Sequence, residues 1–268
     1  MTPPILTDRA ALARHRARAT AFFLQEEARD EIQERLTEVN RTFTAPVVVS
    51  SFPALWADFP VVADDETLDL HEGAHDLVIH ALALHWANDP VGQLVQCRRA
   101  LRPDGLFLGL MFGGQTLHEL RACLAEAEVE VTGGLSPRVL PMGEIRDLGA
   151  LLQRAGFALP VADSYTRTVL YRDALHLMAD LRAMGEGNAL MARLRRPTRR
   201  AVLARAMALY HDRFATADGR IPATFEVIAL TGWAPHDSQQ KPLRPGSAAT
   251  RLAEALHAAE RPLPRDGG

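Results

Sequence analysis

The chain has 268 residues, of which 47% are hydrophobic and 24% are charged. This composition is typical of a globular protein with enough apolar surface for a large core. A formal net charge of −3 provides no general attraction to nucleic acid or to an anionic membrane. Its apolar runs are shorter than the roughly 18 residues of a membrane span, so we expect neither a nucleic-acid partner nor a membrane-spanning segment.

Cysteine and lysine usage narrows the possible chemistry. Cys97 and Cys123 form no C-x-x-C motif, so neither a disulfide framework nor a cysteine zinc site is expected. Lys241 is the only lysine, which excludes a P-loop lysine and a catalytic lysine elsewhere. Asp8 and Arg9 interrupt the N-terminus before a signal-peptide core could form, and we therefore expect a cytoplasmic protein.

The N-terminal part predicts helices followed by two short strands. Residues 1–45 are charged with spaced apolar positions, which indicates an N-terminal helical segment. PVVVSS, residues 46–51, is β-branched and compact, as expected of a short buried strand. FPVVA, residues 59–63, indicates a second strand, and it ends at Asp64 and Asp65.

The next stretch predicts a strand, a loop, a helix and a parallel strand. Leu77–Leu84 shows no polar alternation, which is typical of a strand covered on both faces. Asp89 followed by Pro90 fits a helix N-cap with proline at the first helical position. Residues 103–105 (PDG) predict a turn, and Leu106–Phe112 predicts the returning strand, parallel to the first.

The rest of the chain predicts four helices, two strands and a tail. The helices are expected at residues 115–130, 144–155, 173–184 and 198–214, and the strands at 165–171 and 223–231. Gly156 is placed to terminate the second of these helices. We expect one α/β domain over residues 46–234, with a helical insertion at about 173–215, and a polar tail over residues 235–268.

The loop after the Leu77–Leu84 strand is the first candidate site. Ligands of open α/β sheets bind beyond the carboxyl ends of the strands, and a helix start there offers free backbone N–H groups. The alternative is that these side chains only cover the sheet edge and Asp89 only caps its helix. The candidates in this loop are His80, Leu82, His85, Trp86 and Asn88.

Four segments resemble, in this order, the later half of class I S-adenosylmethionine-dependent methyltransferases. They are ADDETLDL (63–70), HDLVIHALALHW (75–86), LVQCRRALRPDGLFLG (94–109) and LLQRAGF (151–157). The resemblance implies a three-layer Rossmann-like α/β fold with a mostly parallel sheet and an antiparallel pair of C-terminal edge strands. It also implies an acidic residue near the adenine of the cofactor after the third strand, here Asp64 or Asp65. The loop after the fourth strand would lie near the methionine part and the methyl acceptor.

Further segments extend the resemblance over nearly the whole chain. MFGGQTLHELR (111–121), GGLSPRVLP (133–141), LRAMGEGNA (181–189) and TGWAPHDSQQKPLRPGSA (231–248) are similar to the methyltransferase-fold assembly factors of mitochondrial respiratory complex I. This resemblance implies a bacterial-type relative, with a complex I subunit or another protein as partner. Because that family is associated with arginine hydroxylation, it also implies a possible protein-arginine hydroxylase.

The glycine-rich cofactor loop of the methyltransferase family is missing. The family carries D-x-G-x-G-x-G after its first strand, and a second acidic residue after the next strand binds the ribose. Here no glycine occurs between Thr44 and Glu72, and the dozen residues from Ser51 to Asp64 are too few for a helix and a full strand. We therefore expect a reduced cofactor half, in which Cβ atoms fill the space that glycines leave open.

Two hypotheses about function follow. One is a methyltransferase that binds S-adenosylmethionine, and the other is a non-catalytic assembly factor with contacts at Gly113, Gly114 and the segment 233–247. No H-E-x-x-H, H-x-D or H-x-E motif occurs, and no metal site is expected. The candidate cofactor-binding residues are Ser50, Ser51, Asp64, Asp65, His80, Leu82 and His85, and the candidate catalytic residues are His85, Trp86 and His236.

Overall fold

The computed structural model describes residues 5–239, and within them six strands form one sheet. The strands are β1 (Pro46–Val49), β2 (Val61–Val62), β3 (His75–His80), β4 (Leu101–Phe112), β5 (Ala158–Tyr171) and β6 (Ile221–Trp233). Their order in the sheet is β2-β1-β3-β4-β6-β5. The first four are mutually parallel, whereas β6 runs antiparallel to both β4 and β5. The expected parallel sheet with an antiparallel pair at one edge is confirmed.

The described part of the chain also contains seven α-helices. They are α1 (Arg9–Arg16), α2 (Phe23–Glu38), α3 (Pro90–Ala100), α4 (His118–Thr132), α5 (Ile145–Arg154), α6 (Ala174–Ala183) and α7 (Arg200–Phe214). The helix α3 begins as expected, because Asp89 Oδ1 accepts a hydrogen bond of 2.8 Å from the Gly92 N–H. Gly156, just after α5, adopts a left-handed φ of +84°, as expected of a glycine that ends a helix.

Helices cover both faces of the sheet, because successive side chains of a strand point to opposite sides. Val48 packs in one core cluster with α2, α4, α6 and α7, whereas Val47 and Val49 pack in another with α3 and α5. The alternation continues in β4, where Leu106 belongs to the first cluster and Phe107 to the second. The predicted three-layer α/β fold is confirmed.

The connection from β1 to β2 is very short. Residues 50–60 contain one turn of 3-10 helix, Pro53–Trp56, and no α-helix or further strand. The two residues of β2 pair directly with β1, with Val48 opposite Val61 and Val49 opposite Val62. The strand that precedes the acidic run therefore lies next to β1, and this half of the sheet is reduced as predicted.

Two predicted strand boundaries near the candidate loop are wrong. β3 ends at His80 rather than at Leu84, because Leu82 adopts a left-handed φ of 44° and the chain then forms a short 3-10 helix, Leu84–Trp86. β4 begins at Leu101 rather than at Leu106. The predicted turn at residues 103–105 lies inside an irregular stretch of this strand, between the pairs His75–Leu101 and Leu77–Leu106.

Other predicted boundaries differ for reasons of pairing and turn geometry. β5 starts at Ala158 rather than at Tyr165, because it pairs with β6 along its whole length. α4 begins only at His118, after Leu117 with a left-handed φ of 54°. α7 begins at Arg200 rather than at Thr198.

The chain divides into two compact units, Met1–Pro235 and His236–Gly268. In the second unit only residues 236–239 are described. They form a turn in which the Gln239 N–H donates to the His236 carbonyl at 3.2 Å. The rest of the predicted tail, including Arg244 and Ser247, lies outside the described residues. Within residues 5–239, no helix has both the length and the hydropathy needed to cross a membrane.

Candidate functional site

The crevice of this sheet lies at the carboxyl end of β1, whose neighbours in the sheet are β2 on one side and β3 on the other. Ser50 and Ser51 follow β1, Asp64 follows β2, and His80 ends β3. Ser50, Asp64 and His80 are buried. The fold thus brings four of the predicted cofactor-binding residues to one edge of the sheet, but under a cover of other side chains.

Arg16, the last residue of α1, fills this crevice. Its side chain is only 4% exposed, and Nη1 donates to Ser51 Oγ at 2.9 Å and to Asp64 Oδ2 at 2.7 Å. Arg9, two helical turns earlier on the same face of α1, lies 3.3 Å from Asp64 Oδ2 and also donates to the Asp64 backbone carbonyl. Asp64 is therefore paired with two arginines of one helix.

The charge state of Asp64 follows from this pairing. Burial by itself raises the pKa of the Asp64 carboxyl, but the charges of Arg16 and Arg9 and the Arg16 hydrogen bond outweigh it. The pKa of Asp64 therefore lies below its ordinary value, and the carboxylate is ionised at neutral pH.

Glu186 lies on the other side of the Arg16 guanidinium. Its Oε1 is 3.6 Å from Arg16 Nη2, and its Oε2 accepts from Trp86 Nε1 at 2.5 Å and lies 3.5 Å from His85 Nε2. Burial raises the pKa of Glu186, but the adjacent His85, the charge of Arg16 and the Trp86 donor hold it at about 2. Arg16 is thus held between two ionised carboxylates, Asp64 and Glu186.

His80 lies beneath this ion-pair cluster and is fully buried. Its Nε2 is 3.0 Å from Gln93 Oε1, and Gln93 in turn donates to the Asp65 carbonyl at 2.8 Å. Burial lowers the pKa of His80, so the ring is neutral at neutral pH. Because the Gln93 carbonyl oxygen can only accept, Nε2 carries the proton and Nδ1 is left as an acceptor.

Several buried polar atoms of this cluster have no hydrogen-bond partner within residues 5–239. They are Arg16 Nε and Nη2, Asp64 Oδ1, His80 Nδ1, His85 Nε2 and Glu186 Oε1. Buried polar groups are normally satisfied, and a group that is not requires a functional or structural reason. Their concentration around one guanidinium identifies the Arg16–Asp64–Glu186 cluster as the candidate functional site. No group of three or more His, Cys, Asp or Glu side chains in the described chain is arranged to hold a metal ion.

A cavity of about 610 Å³ adjoins the cluster. Trp86, Phe112 and Glu186 form the part of its wall that borders the cluster. Most of the remaining wall is apolar and comes from α4, α6, the start of α7 and the segment 138–142. Its volume is within the range of small-molecule sites.

The comparisons with known proteins agree with this architecture. Residues 8–109 match the family described as Methyltransferase domain. Over 232 residues the chain is 41% identical to the arginine-hydroxylase NDUFAF5, mitochondrial, of Danio rerio, and the match covers 84% of this chain and 72% of that protein. The chain belongs to the NDUFAF5 family.

The NDUFAF5 relatives are longer than the matched region, and methyltransferases are also similar. The mouse NDUFAF5 is 44% identical over 204 residues, which cover 75% of this chain but only 59% of that protein. A malonyl-[acyl-carrier protein] O-methyltransferase of Halorhodospira halophila is 34% identical over 203 residues, covering 74% of this chain and 67% of that protein. The chain therefore spans little more than half the length of its mouse relative.

The crevice of this NDUFAF5-family chain does not fit S-adenosylmethionine in the way that the methyltransferase resemblance implies. Ser50 Oγ accepts from the Phe52 N–H at 3.1 Å, so the turn after β1 is closed by a side chain where the methyltransferase family has glycines. The buried Arg16 side chain adds to this obstruction, because its Nη1 contacts both Ser51 Oγ and Asp64 Oδ2. Asp64 follows β2, the strand beside β1, which is where that family carries the acid that binds the ribose, but its carboxylate is already paired with Arg16 and Arg9.

The predicted site residues divide into two groups. Ser50, Ser51, Asp64, His80, His85 and Trp86 lie in or beside the Arg16–Asp64–Glu186 cluster. Asp65 is exposed, and Leu82 packs in the core cluster on the α2 face of the sheet, so neither lines the crevice. Asn88 does not line it either, because its Oδ1 accepts from the Leu6 and Thr7 N–H groups and so fixes the N-terminal segment.

Predicted residues outside the crevice have other roles. His236 lies in the second unit, where Nδ1 is 2.7 Å from Ser238 Oγ, and its catalytic role stays a prediction. Gly113 and Gly114 are themselves buried, whereas the next residue, Gln115, is exposed, and the contact role of this loop stays a prediction. A Cβ at Gly113 would collide with Glu226, and one at Gly114 with Glu144, so both glycines permit close packing.

Sequence reasoning missed the residues that occupy the crevice: Arg9, Arg16 and Glu186. The spacing of the two arginines, which places them on one helix face, was visible in TDRAALARHRARA. However, no local pattern indicated that this face packs on the sheet edge. Glu186 stands between Gly185 and Gly187 in a loop, and only the packing of that loop against Trp86 reveals its contacts.

Proposed function

We propose that this chain is a respiratory complex I assembly factor that binds a partner protein and does not use S-adenosylmethionine as a cofactor. Membership of the NDUFAF5 family supports the role in assembly. The absence of the cofactor is inferred from one observation. The Arg16 side chain is 4% exposed, and its guanidinium is paired with Asp64 at the carboxyl ends of β1 and β2. Displacing it would leave a buried carboxylate without its strongest partner, at a cost of several kcal/mol.

Calorimetry with S-adenosylmethionine and S-adenosylhomocysteine tests whether the protein binds the cofactor. We expect no heat of binding up to millimolar ligand, which corresponds to a binding free energy weaker than about −4 kcal/mol. Because a null result needs a check on the protein, its unfolding midpoint should be recorded in the same buffer with and without ligand. Micromolar binding, or a ligand-dependent rise of the midpoint, would contradict the proposal and favour a methyltransferase.

The assembly role requires a test in the bacterium that makes the protein, where we place it in the cytoplasm. Deletion of the coding sequence should lower the NADH:ubiquinone activity of the membranes and the amount of assembled complex I. The wild-type chain should restore both, and affinity capture should recover a complex I subunit identified by mass spectrometry. Capture should be equal with and without added S-adenosylhomocysteine. An unchanged level of complex I in the deletion strain would refute the assembly role.

Protein-arginine hydroxylation is a second candidate, supported by the name arginine-hydroxylase that five of the relatives share. It is compatible with partner binding and predicts a covalent product. Peptide mass spectrometry of complex I subunits from the wild-type and deletion strains distinguishes the two. An arginine that carries one added oxygen only in the wild-type strain would establish hydroxylation. If complex I assembled completely without any such arginine, binding to the partner would be the protein's only role in assembly.

A further inference from the structure

Two arginines, Arg138 and Arg182, line the cavity of about 610 Å³, and three more lie close in sequence to its lining residues Pro197 and Thr198. Among the residues that line the cavity, Leu175, Arg182 and Pro197 are exposed, whereas Trp86, Leu120 and Phe225 are buried. The exposed residues therefore mark the mouth of the cavity, and the buried ones mark its interior. A ligand would enter between α6, which carries Leu175 and Arg182, and the segment that leads into α7.

The mouth is strongly basic. The sequence RLRRPTRR, residues 193–200, contains five arginines, and its Pro197 and Thr198 line the cavity. Arg138 also lines the cavity. Its Nη1 donates to Thr198 Oγ1 at 2.8 Å, which joins the segment 138–142 to the segment that leads into α7. We call Arg138, Arg182, Arg196, Arg199 and Arg200 the arginine rim.

Most of the rim is not neutralised by the protein itself. Arg138 is paired with Glu128. The side chains of Arg182, Arg196, Arg199 and Arg200 make no ion pair or hydrogen bond to any residue in the range 5–239. Among the described residues that line the cavity, Glu186 is the only acidic one, and it already contacts Trp86, His85 and Arg16. An anionic group at the mouth would therefore meet four arginines without a carboxylate partner among the described residues, and Arg138, which Glu128 already neutralises.

The interior has the opposite character. Its wall consists mainly of leucine and methionine side chains, with Phe112 and Phe225. The flexible thioethers of Met142, Met178 and Met184 can adapt to a ligand of variable shape. A compact polar ligand would leave this apolar wall in contact with water, whereas an alkyl chain would bury it.

We propose that this cavity binds an amphiphile: an acyl chain in the apolar interior, joined to a phosphate group at the arginine rim. The proposal does not depend on the function proposed above, because it uses neither the crevice nor the partner protein. Such a molecule has two sources, a lysophospholipid or an acyl group carried on a phosphate-bearing thiol such as coenzyme A. Both present the same chemistry to the protein.

Dodecyl phosphate is the minimal probe, and Trp86 in the cavity wall provides a fluorescence signal besides calorimetry. We expect saturable binding in the micromolar range, below the concentration at which the probe forms micelles. Dodecyltrimethylammonium, which has the same chain and a cationic head, should bind at least tenfold more weakly, and inorganic phosphate should not bind detectably. Equal affinity for the two head groups, or no binding of dodecyl phosphate at millimolar concentration, would overturn the proposal.

Variants separate the rim from the interior. Charge reversal by Arg182→Glu together with Arg199→Glu should weaken the binding of dodecyl phosphate at least tenfold, because both residues are exposed, Arg182 lines the cavity and Arg199 is adjacent to the lining residue Thr198. Arg146→Glu together with Arg154→Glu, at two exposed arginines of α5 outside the cavity wall, is the matched control with the same change of net charge and should leave the affinity unchanged. An equal loss of affinity in the control would show that only the overall charge matters, which would contradict a specific site.

Blocking the interior tests where the chain lies. Met178→Trp should fill the cavity and abolish binding, and Leu203→Trp provides a second obstruction if the first variant does not fold. Each variant is first checked for an unfolding transition like that of the wild type. Full affinity in a folded, blocked variant would refute the proposal. Dodecanoyl coenzyme A and a lysophosphatidic acid of equal chain length then identify the source, since the natural one should bind more tightly.

Discussion

Arg16 and Asp64 form a buried ion pair, with 2.7 Å between Nη1 and Oδ2 and side chains that are 4% and 0% exposed. The pair joins α1 to the carboxyl end of β2 across the crevice in which proteins of this fold bind their ligands. Buried charges are tolerated only when they are paired and hydrogen-bonded. The pair therefore makes the closed crevice a stable feature of the folded chain, and removing either partner should be costly.

Asp64→Asn should destabilise the protein by about 3–5 kcal/mol, because Arg16 would keep its charge in a buried position with one carboxylate fewer. Asp65→Asn is the matched control, since Asp65 is the adjacent residue, is exposed, and its substitution should change stability by about 0.5 kcal/mol or less. Urea denaturation followed by circular dichroism measures both free energies of unfolding. Equal stabilities of the two variants would mean that the ion pair contributes nothing.

The hydrogen bond from Trp86 to Glu186 gives a second prediction. Trp86→Phe removes the indole donor at 2.5 Å from Glu186 Oε2 and should cost about 1–3 kcal/mol beyond the loss of ring volume. Trp56→Phe provides the control, because Trp56 is equally buried and its Nε1 has no partner in the part of the chain that is described.

A double-mutant cycle with Glu186→Gln isolates this interaction. If the hydrogen bond acts as the distances indicate, Trp86→Phe and Glu186→Gln should be coupled by at least about 0.5 kcal/mol. Trp56→Phe and Glu186→Gln should be additive. Additivity in both pairs would show that Trp86 matters only for packing.

Glu128 gives a prediction about acid stability. Arg138 donates to it from Nε and Nη2 at 2.9 and 2.7 Å, and Ser136 donates from its N–H and Oγ. These bonds, the Arg138 bond foremost, lower the pKa of Glu128 from 4.5 to about 2. A carboxyl whose pKa is lowered by folding stabilises the protein fully above its unfolded value, and this contribution is lost as the pH falls through the folded value.

Glu128→Gln should therefore lower the free energy of unfolding at pH 7 by about 1.5–3 kcal/mol, and much less at pH 2. The difference between wild type and variant should shrink between about pH 4.5 and 2, the window set by the two pKa values. Glu34→Gln serves as the control, because the Glu34 side chain is exposed and makes no ion pair with any residue from 5 to 239. A difference that stays constant over this window would rule out the pairing with Arg138 as its cause.

The fold could largely be predicted because its signals are local. The β-branched run of β1, the Asp89–Pro90 cap of α3 and the Gly156 stop of α5 each depend on neighbouring residues alone. The reduced half of the sheet was predicted for a simple geometric reason, since residues 50–60 are too few for a helix and a strand. The predicted boundaries were wrong where a pairing partner determines them. The first seven residues of β5, for example, form a strand only because β6 lies beside them.

The candidate site was less accessible to sequence reasoning. Asp64, His80 and His85 follow strands, so their position at the sheet edge could be predicted from topology. Arg16 and Glu186 lie 48 and 122 residues from Asp64, and nothing local indicates that Arg16 contacts both carboxylates. For the same reason the close approach of Glu226 to Gly113 and of Glu144 to Gly114 could not be predicted, because these residues come from distant elements.

Two glycines of the same region, Gly149 inside α5 and Gly156 just after it, should respond in opposite directions to alanine. Gly156→Ala forces a side chain into a left-handed backbone with φ +84° and should cost about 1–2 kcal/mol. Gly149→Ala places a methyl group 3.4 Å from the Ala162 Cβ, an ordinary contact, and should gain about 0.5–1 kcal/mol from helix propensity. Thermal unfolding of both variants tests the pair, since each substitution adds one methyl group. A loss at both positions would mean that α5 tolerates no added methyl group, and the left-handed geometry at Gly156 would then not be the cause.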